Sequence, residues 1–300
     1  MKKLLIILIL CVLVSCTPKN KITLMAPQGS PLMTVLGLDQ DDYEIDVVNG
    51  ADPLVAAFGS NSHDAIIAPT NLGVKLYASK QDYKLAALVV FGNYHLVSTS
   101  FTEGKMTELQ DKSIVVFGQN QTSDIIIKHL IAELDLDVTI DYVDSVSLAT
   151  STYIFDSSKI VMVAEPSLSK IKSLVPETKS IDLQDEYAKL HEGQSYPQAS
   201  LFVKSSLDSK VVEKLIKDIK KSIDDLNDEN DLLLTRGLEL GVSDSIEILK
   251  NAIKGSHLNL VEPKDSKVSL DMYLNVILSI NPMLIGGKLP DESIYWSDQT

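Results

Sequence analysis

The chain alternates short apolar runs with segments in which apolar residues recur every three or four positions. Runs of the first kind predict buried β-strands, and segments of the second kind predict helices. In the first part of the chain the predicted strands are KITLMA, YEIDVV, HDAIIA and YKLAALVV, and the predicted helices are PLMTVLG, DPLVAAFG and NLGVKLYA. This alternation predicts a mostly parallel sheet with helices on both faces.

A second series of the same kind follows an extended segment, GNYHLVSTS. Its predicted strands are KSIVVFG, VTIDYV, KIVMVA and KSIDL, and its predicted helices are DIIIKHLIAELD, SVSLATSTYI and SLSKIKSLV. After another extended run, SLFVKSS, the pattern becomes almost wholly helical, with apolar faces over 211–226, 232–240, 246–253 and 270–280. The pattern therefore predicts two α/β units in tandem and a helical end.

The first fifteen residues predict an export signal. Lys2 and Lys3 precede an apolar stretch over 4–14 that is too short to span a bilayer. The sequence Leu-Val-Ser-Cys at 13–16 resembles the lipobox of bacterial lipoproteins, in which cleavage precedes a cysteine that is then acylated. We expect a signal peptide over 1–15, a lipid on Cys16, a tether over 16–21 and an extracytoplasmic protein held at the cell membrane. Ordinary cleavage beside an incidental cysteine is the alternative.

Composition excludes several classes of function. Cys11 and Cys16 are the two cysteines of the chain, so the processed protein would have no thiol for a disulfide, a nucleophile or a metal site. Without Lys2 and Lys3, 25 basic residues face 41 acidic ones, which gives a net charge near −16. Such a chain repels nucleic acid. We expect no metal, no cofactor and no nucleic-acid partner, and we expect a monomer.

Polar, small or aromatic residues cluster where predicted strands meet the next helix. Strand ends and helix N-termini converge there in open α/β sheets, and ligands bind at that edge. The corners are 27–30, 49–52, 69–71, 118–123 and 164–167, with crossings at 92–94 and 196–198. A single corner of this kind is an ordinary helix cap. Their joint occurrence indicates a ligand site.

The chain from 16 to about 295 resembles the substrate-binding lipoproteins of bacterial ABC importers. The resemblance rests on the lipobox and on the segments APQGSP, DAIIAPTNLGVKLY, GNYHLVS and VAEPSLS. It is strongest to the branch that binds sulfonates, nitrate and thiamine precursors. It implies the two-lobed type II periplasmic-binding-protein fold, with two mixed sheets flanked by helices and joined by two hinge strands. Lobe one would comprise 21–94 plus 204–300, and lobe two 95–203.

The same resemblance implies a small nutrient bound between the lobes and delivered to an ABC permease in the membrane. The residues expected to bind it are Gln28, Gly29, Ser30, Asn49, Thr70, Asn71, Asn93, Tyr94, Gln121, Thr122, Ser123, Glu165, Tyr196 and Gln198. We expect Lys75 and Lys128, one turn further along their helices, to face solvent.

The identity of the ligand stays open at this point. Arg236 is the only arginine and lies away from every corner, which argues against an arginine clamp on an amino-acid carboxylate. A sulfonate or a nitrate-like anion would be held by helix N-termini and hydroxyl groups. A heteroaromatic thiamine precursor would instead stack on Tyr94, Tyr153 or Tyr196 near Glu165.

Two other classes of function compete with solute binding. An enzyme such as a dehydratase would use the same two-lobed fold, but the chain has no nucleophile elbow, metalloprotease helix, phosphate loop or dinucleotide-binding turn. We therefore expect no enzymatic activity. A lipoprotein that binds other proteins at the cell surface would need an exposed apolar or repeated surface, and the sequence has no internal repeat.

Overall fold

The computed structural model of the protein describes residues 21–297. The predicted signal peptide, Cys16 and the tether up to residue 20 lie outside the described residues. The strands are β1 (Ile22–Pro27), β2 (Tyr43–Val48), β3 (Ala65–Pro69), β4 (Tyr83–Phe91), β5 (Tyr94–Ser98), β6 (Lys112–Phe117), β7 (Val138–Val143), β8 (Ile160–Ala164), β9 (Lys179–Asp182), β10 (Pro197–Lys204) and β11 (Leu258–Val261).

The helices alternate with the strands in the first two thirds of the chain and follow one another near its end. They are α1 (Ser30–Met33), α2 (Asp52–Ser60), α3 (Thr70–Ser79), α4 (Thr122–Glu133), α5 (Val146–Phe155), α6 (Ser167–Leu174), α7 (Leu183–Leu190), α8 (Ser209–Asn227), α9 (Asp231–Glu239), α10 (Ile246–Gly255) and α11 (Pro263–Ile280). Short 3-10 helices lie at Met106–Leu109, Pro282–Ile285 and Glu292–Ile294. No helix within 21–297 is long and apolar enough to cross a membrane.

The strands form two mixed sheets, one in each lobe. The six-stranded sheet has the order β11-β4-β10-β3-β1-β2, and the five-stranded sheet has the order β7-β6-β8-β5-β9. In the first sheet β1 runs parallel to β2 and β3, whereas β10 pairs antiparallel with both β3 and β4. In the second, β6 runs parallel to β7 and β8, and β5 is antiparallel to β8 and β9.

The chain returns to the first sheet at β10, which begins earlier in the sequence than the expected lobe boundary. We expected the return at 204, with 95–203 in lobe two. Because β10 pairs with β3 and β4 from Pro197 onward, the return comes seven residues earlier. Its antiparallel insertion between β3 and β4, together with antiparallel β11 at the edge, makes the first sheet mixed and not mostly parallel.

The sequence pattern missed two elements and misplaced two helix ends. The helix α7 follows directly on β9, because the side chain of Asp182 accepts hydrogen bonds from the backbone N–H groups of Gln184 and Asp185 and so starts the helix. The strand β11 has only four residues and pairs with β4 alone. The helix α11 begins at Pro263, seven residues before its apolar periodicity does, and α1 ends at Met33, four residues before the predicted helix does.

Aromatic rings pack where the chain crosses between the sheets. Tyr196 is fully buried, and its ring centroid lies 6.3 Å from that of Tyr94, 6.2 Å from that of Tyr273 and 5.2 Å from that of Tyr187. Tyr187 belongs to lobe two and Tyr273 to lobe one. Tyr94 also belongs to lobe two, because it begins β5, one residue before the expected boundary at 95. This aromatic cluster therefore forms a shared core at the base of both lobes.

Candidate functional site

A cavity of about 170 Å³ lies between the lobes. Lobe one contributes most of its wall, from the ends of β1 and β3, the start of α3, the start of β10 and the 3-10 helix Pro282–Ile285. Lobe two contributes Tyr94 and the loop into α4. The lining residues are Pro27, Pro31, Ala51, Pro69, Asn71, Leu72, Lys75, Tyr94, Asn120, Gln121, Thr122, Gln198, Ala199 and Leu284.

Two helices begin at this cavity from opposite lobes. Asn71 lies in the first turn of α3 and Thr122 is the first residue of α4, and neither helix has a side chain that caps its N-terminus. Backbone N–H groups at a helix N-terminus carry a partial positive charge and attract anions. The cavity is therefore positioned to receive positive potential from both lobes.

The two corners also touch each other. Thr122 Oγ1 donates a hydrogen bond of 3.1 Å to Asn71 Oδ1 and accepts one of 3.1 Å from the hydroxyl group of Tyr273. Because Tyr273 and Asn71 belong to lobe one and Thr122 to lobe two, these bonds hold the lobes together across the cavity.

The lining residues include a positively charged side chain but no aspartate or glutamate. Lys75 is the one ionisable residue of the lining besides Tyr94, and it makes no ion pair with any residue in 21–297. Burial raises the pKa of the Tyr94 hydroxyl far above its usual range, so that this side chain stays neutral. Asp124, in the first turn of α4, is paired with Lys128 at 2.9 Å and accepts a hydrogen bond of 2.6 Å from the hydroxyl group of Tyr142. Asp124 is not a lining residue, but its carboxylate also accepts a 2.8 Å hydrogen bond from the backbone N–H of Asn120, which is one.

Five of the residues that we expected to bind a ligand line the cavity: Asn71, Tyr94, Gln121, Thr122 and Gln198. Gln198 also links the two crossings between the sheets, because its Oε1 accepts a 3.1 Å hydrogen bond from the backbone N–H of Asn93. These five residues come from two of the expected corners, 69–71 and 118–123, and from both crossings, 92–94 and 196–198.

Four further predicted residues lie beside the cavity, in a contact between the lobes. The Ser30 hydroxyl lies 2.9 Å from that of Ser256 and 3.4 Å from the backbone oxygen of Glu165, and it accepts a 2.6 Å hydrogen bond from Asn93 Nδ2. Gly29 lies next to the same backbone oxygen. The four predicted residues, Gly29, Ser30, Asn93 and Glu165, join α1 and α10 of lobe one to the start of α6 in lobe two.

The remaining five predicted residues have other surroundings. The Gln28 side chain donates to the backbone oxygen of Leu240, and the Ser123 hydroxyl donates to that of Phe117. Thr70 is buried, with its hydroxyl 2.7 Å from that of Ser200 beneath the cavity floor. Tyr196 lies in the aromatic cluster, and Asn49 is exposed. None of these five side chains lines the cavity.

Sequence reasoning missed several lining residues. Lys75 is exposed, as expected, but it also lines the rim of the cavity, which the sequence analysis did not anticipate. Its position four residues after Asn71 puts both on one face of α3, and this spacing was the available signal. Leu284 comes from the end of the chain, and no local pattern indicates that it reaches the cavity.

Comparisons with known proteins agree on the architecture. No family model matches the chain, and no curated protein matches its sequence. Solved structures do match. One is an ABC transporter protein from Parabacteroides distasonis, with a TM-score of 0.80 and 18% identity, covering 93% of this chain and 99% of that one.

Two other structures extend the comparison. The periplasmic aliphatic sulphonate binding protein of Escherichia coli matches with a TM-score of 0.69 and 10% identity over 94% of this chain and 93% of its own. A Candida albicans protein described as having the generic periplasmic binding protein structural fold matches with a TM-score of 0.59 and 15% identity over 92% and 93%. The chain therefore has the periplasmic-binding-protein fold, which confirms the predicted fold class.

The position of Thr70 predicts that it stabilises the fold from beneath the cavity. Thr70→Val removes one hydroxyl of a buried pair and leaves Ser200 without this partner, so the free energy of unfolding should fall by about 1–3 kcal/mol. Thr139→Val, at an exposed position of β7, is the matched control and should stay within about 0.5 kcal/mol. Urea unfolding measures both. Equal stability of the two variants would contradict a structural role for Thr70.

Proposed function

We propose that the protein is an extracytoplasmic solute-binding protein that encloses a small ligand between its lobes and delivers it to an ABC import permease. The observation that supports this most is the cavity between two helix N-termini, one from each lobe, with hydrogen bonds from both lobes across it. A ligand in this position would contact both lobes and favour their closure. The P. distasonis and E. coli neighbours are described as transport and solute-binding proteins, which supports the same role.

The ligand that this cavity suits best is a small anion with an apolar part. Lys75 and the starts of α3 and α4 offer positive potential, while Pro27, Leu72 and Leu284 offer apolar contact. An alkanesulfonate combines both features, and the E. coli neighbour is named for binding aliphatic sulphonates. A bare nitrate-like anion would leave the apolar wall without a partner.

A cationic heteroaromatic ligand fits less well. The carboxylate that we had expected beside it, that of Glu165, is buried in the contact between the lobes and hydrogen-bonded to Ser169. The aromatic rings of Tyr153 and Tyr196 are fully buried, which leaves Tyr94 for stacking. No aspartate or glutamate is among the residues that line the cavity.

The lining does not favour catalysis either. It contains no histidine, aspartate or glutamate that would serve as a general base beside the Thr122 hydroxyl. We infer binding without chemical conversion, by a monomer that a lipid on Cys16 anchors to the cell membrane.

A thermal-shift screen of the chain that begins at residue 17, which retains every element described above, tests the proposed ligand class. Because a ligand that binds only the folded state stabilises it by about 2.7 kcal/mol at a hundred times its Kd, a short-chain alkanesulfonate should raise the unfolding temperature. Nitrate, inorganic sulfate and an aminopyrimidine are the comparison ligands. A shift with the aminopyrimidine alone would overturn the anion, and no shift with any small solute would overturn the proposed function.

Variants of the cavity wall refine this test. Lys75→Met should weaken binding of the sulfonate by about 1.5–3 kcal/mol, and Asn71→Ala or Thr122→Ala by about 0.5–1.5 kcal/mol, in calorimetric titrations. Lys217→Met, at an exposed position on α8, makes the same change of charge away from the cavity and should leave the affinity unchanged.

The lipid anchor has its own test. Cys16→Ala should move the protein from the membrane fraction to the soluble fraction of fractionated cells, because a diacyl group provides stable anchoring where one chain is marginal. Metabolic labelling with a fatty acid should show a signal that depends on Cys16. Labelling that persists in the variant would contradict a lipid at this position.

A further inference from the structure

Glu165 is a carboxyl group buried between the two lobes. Its side chain lies at the start of α6 in lobe two, and Glu165 is only 5% exposed. Ser169 donates to the carboxyl group from its backbone N–H at 3.1 Å and from its hydroxyl at 3.0 Å. Within 21–297 no lysine, arginine or histidine forms an ion pair with it. Burial of an unpaired carboxylate is costly, and a group in this position tends to take up a proton.

The partner surface in lobe one is the end of α10. A Cβ atom at Gly255 would lie 2.6 Å from Glu165 Oε1, so the carboxyl group packs directly against the backbone of this helix. The same contact includes the Ser30 and Ser256 hydroxyls near the Glu165 backbone oxygen, and an ion pair between Lys170 and Asp244 at its outer edge. Separation of α6 from α10 would therefore expose the Glu165 carboxyl group to water.

We propose that Glu165 is a proton-operated latch between the lobes: as a carboxylic acid it favours the closed arrangement, and as a carboxylate it favours separation. This rests on the proposed function in one respect, namely that the lobes separate and close around a ligand. The latch lies outside the cavity and acts on closure whatever the ligand is.

The pH dependence of lobe closure follows from the environment of Glu165 in the closed arrangement and in the open one. In the closed arrangement burial raises the pKa of Glu165 to about 7, although the hydrogen bonds from Ser169 and the charges of Lys172 and His257 partly oppose this. In water the carboxyl group would return to a pKa of about 4.3. Because the closed-state pKa is the higher one, closure is favoured at low pH and this advantage is lost as the pH rises through about 7.

Other titratable groups surround this contact from each element packed against it. Lys172 lies on α6, His257 in the turn after α10 and His95 on β5. Burial lowers the pKa of His95 to about 3, so that it remains neutral from pH 5 to pH 8. Lys254 on α10 is paired with Glu229. His257 is therefore the neighbouring residue whose substitution serves as the comparison for Glu165.

The experiment measures lobe separation directly and without ligand. Because Cys11 and Cys16 are the only cysteines, a chain that begins at residue 17 accepts spin labels at two introduced cysteines, Ser173→Cys on α6 and Asn251→Cys on α10, both at exposed positions. Pulsed electron paramagnetic resonance then gives the populations of short and long distances. From pH 5 to pH 8 the ratio of closed to open molecules should fall by about 10- to 100-fold.

Two substitutions in the labelled protein decide whether Glu165 is responsible. Glu165→Gln keeps one acceptor oxygen for the backbone N–H of Ser169 and offers an amide N–H to the Ser169 hydroxyl, but it cannot ionise, so the short distance should dominate at every pH. Gly255→Ala places a methyl group against the carboxyl group and should favour the long distance at every pH. Gly59→Ala, on α2 with open space around it, is the control and should behave as the parent protein does.

The outcomes separate this proposal from the proposed function. A constant ratio in the parent protein, or a pH dependence that persists in Glu165→Gln and disappears in His257→Asn, would overturn the latch. If a ligand from the thermal-shift screen still shifts the labels to the short distance, the solute-binding function stands without the latch. If no solute binds and the labels do not respond to pH, both proposals fail.

Discussion

The packing of Tyr196 against Gly92 is the constraint on which the two-lobed arrangement depends. A Cβ atom at Gly92 would lie 2.2 Å from the Tyr196 ring and 2.4 Å from Gln184 Oε1, so any larger residue would displace the ring. Tyr196 in turn packs against Tyr94 and Tyr187 of lobe two and Tyr273 of lobe one. The chain crosses between the sheets at this point in both directions, and the aromatic cluster fixes where the lobes meet.

The orientation of the strands follows from these crossings and determines what faces the cleft. β3 of lobe one and β6 of lobe two both lead towards the crossing, so the helices that follow them, α3 and α4, begin on opposite sides of the same cavity. Each of these helix N-termini carries a partial positive charge, and because both lie at one cavity their potentials add there. The hydrogen bonds from Thr122 to Asn71 and from Tyr273 to Thr122 then use side chains at these corners to join the lobes.

No carboxylate is among the residues that line the cavity, although the chain has a net charge of −14. Asp124, in the first turn of α4, forms an ion pair with Lys128, and Glu165 is enclosed between α6 and α10. Lys75 remains at the rim without an ion pair within 21–297. The one charged residue that lines the cavity of this acidic protein is thus a cation, and the Glu165 carboxyl group lies beside the cavity where the two lobes meet.

The sequence by itself determined the order and type of nearly all elements, because burial of one face imposes a period of two on strands and of about 3.6 on helices. It also determined which corners carry polar side chains, and five of those residues line the cavity. Only the tertiary structure decided which way each side chain points. Thr70 and Thr122 are both first residues of a helix, yet Thr70 faces Ser200 below the sheet edge and Thr122 faces the cavity. Three other features bring together segments that are distant in the chain: the pairing of β10 with β3, the position of Leu284 in the cavity wall, and the contact of Glu165 with Gly255. Local periodicity carries no information about such long-range contacts.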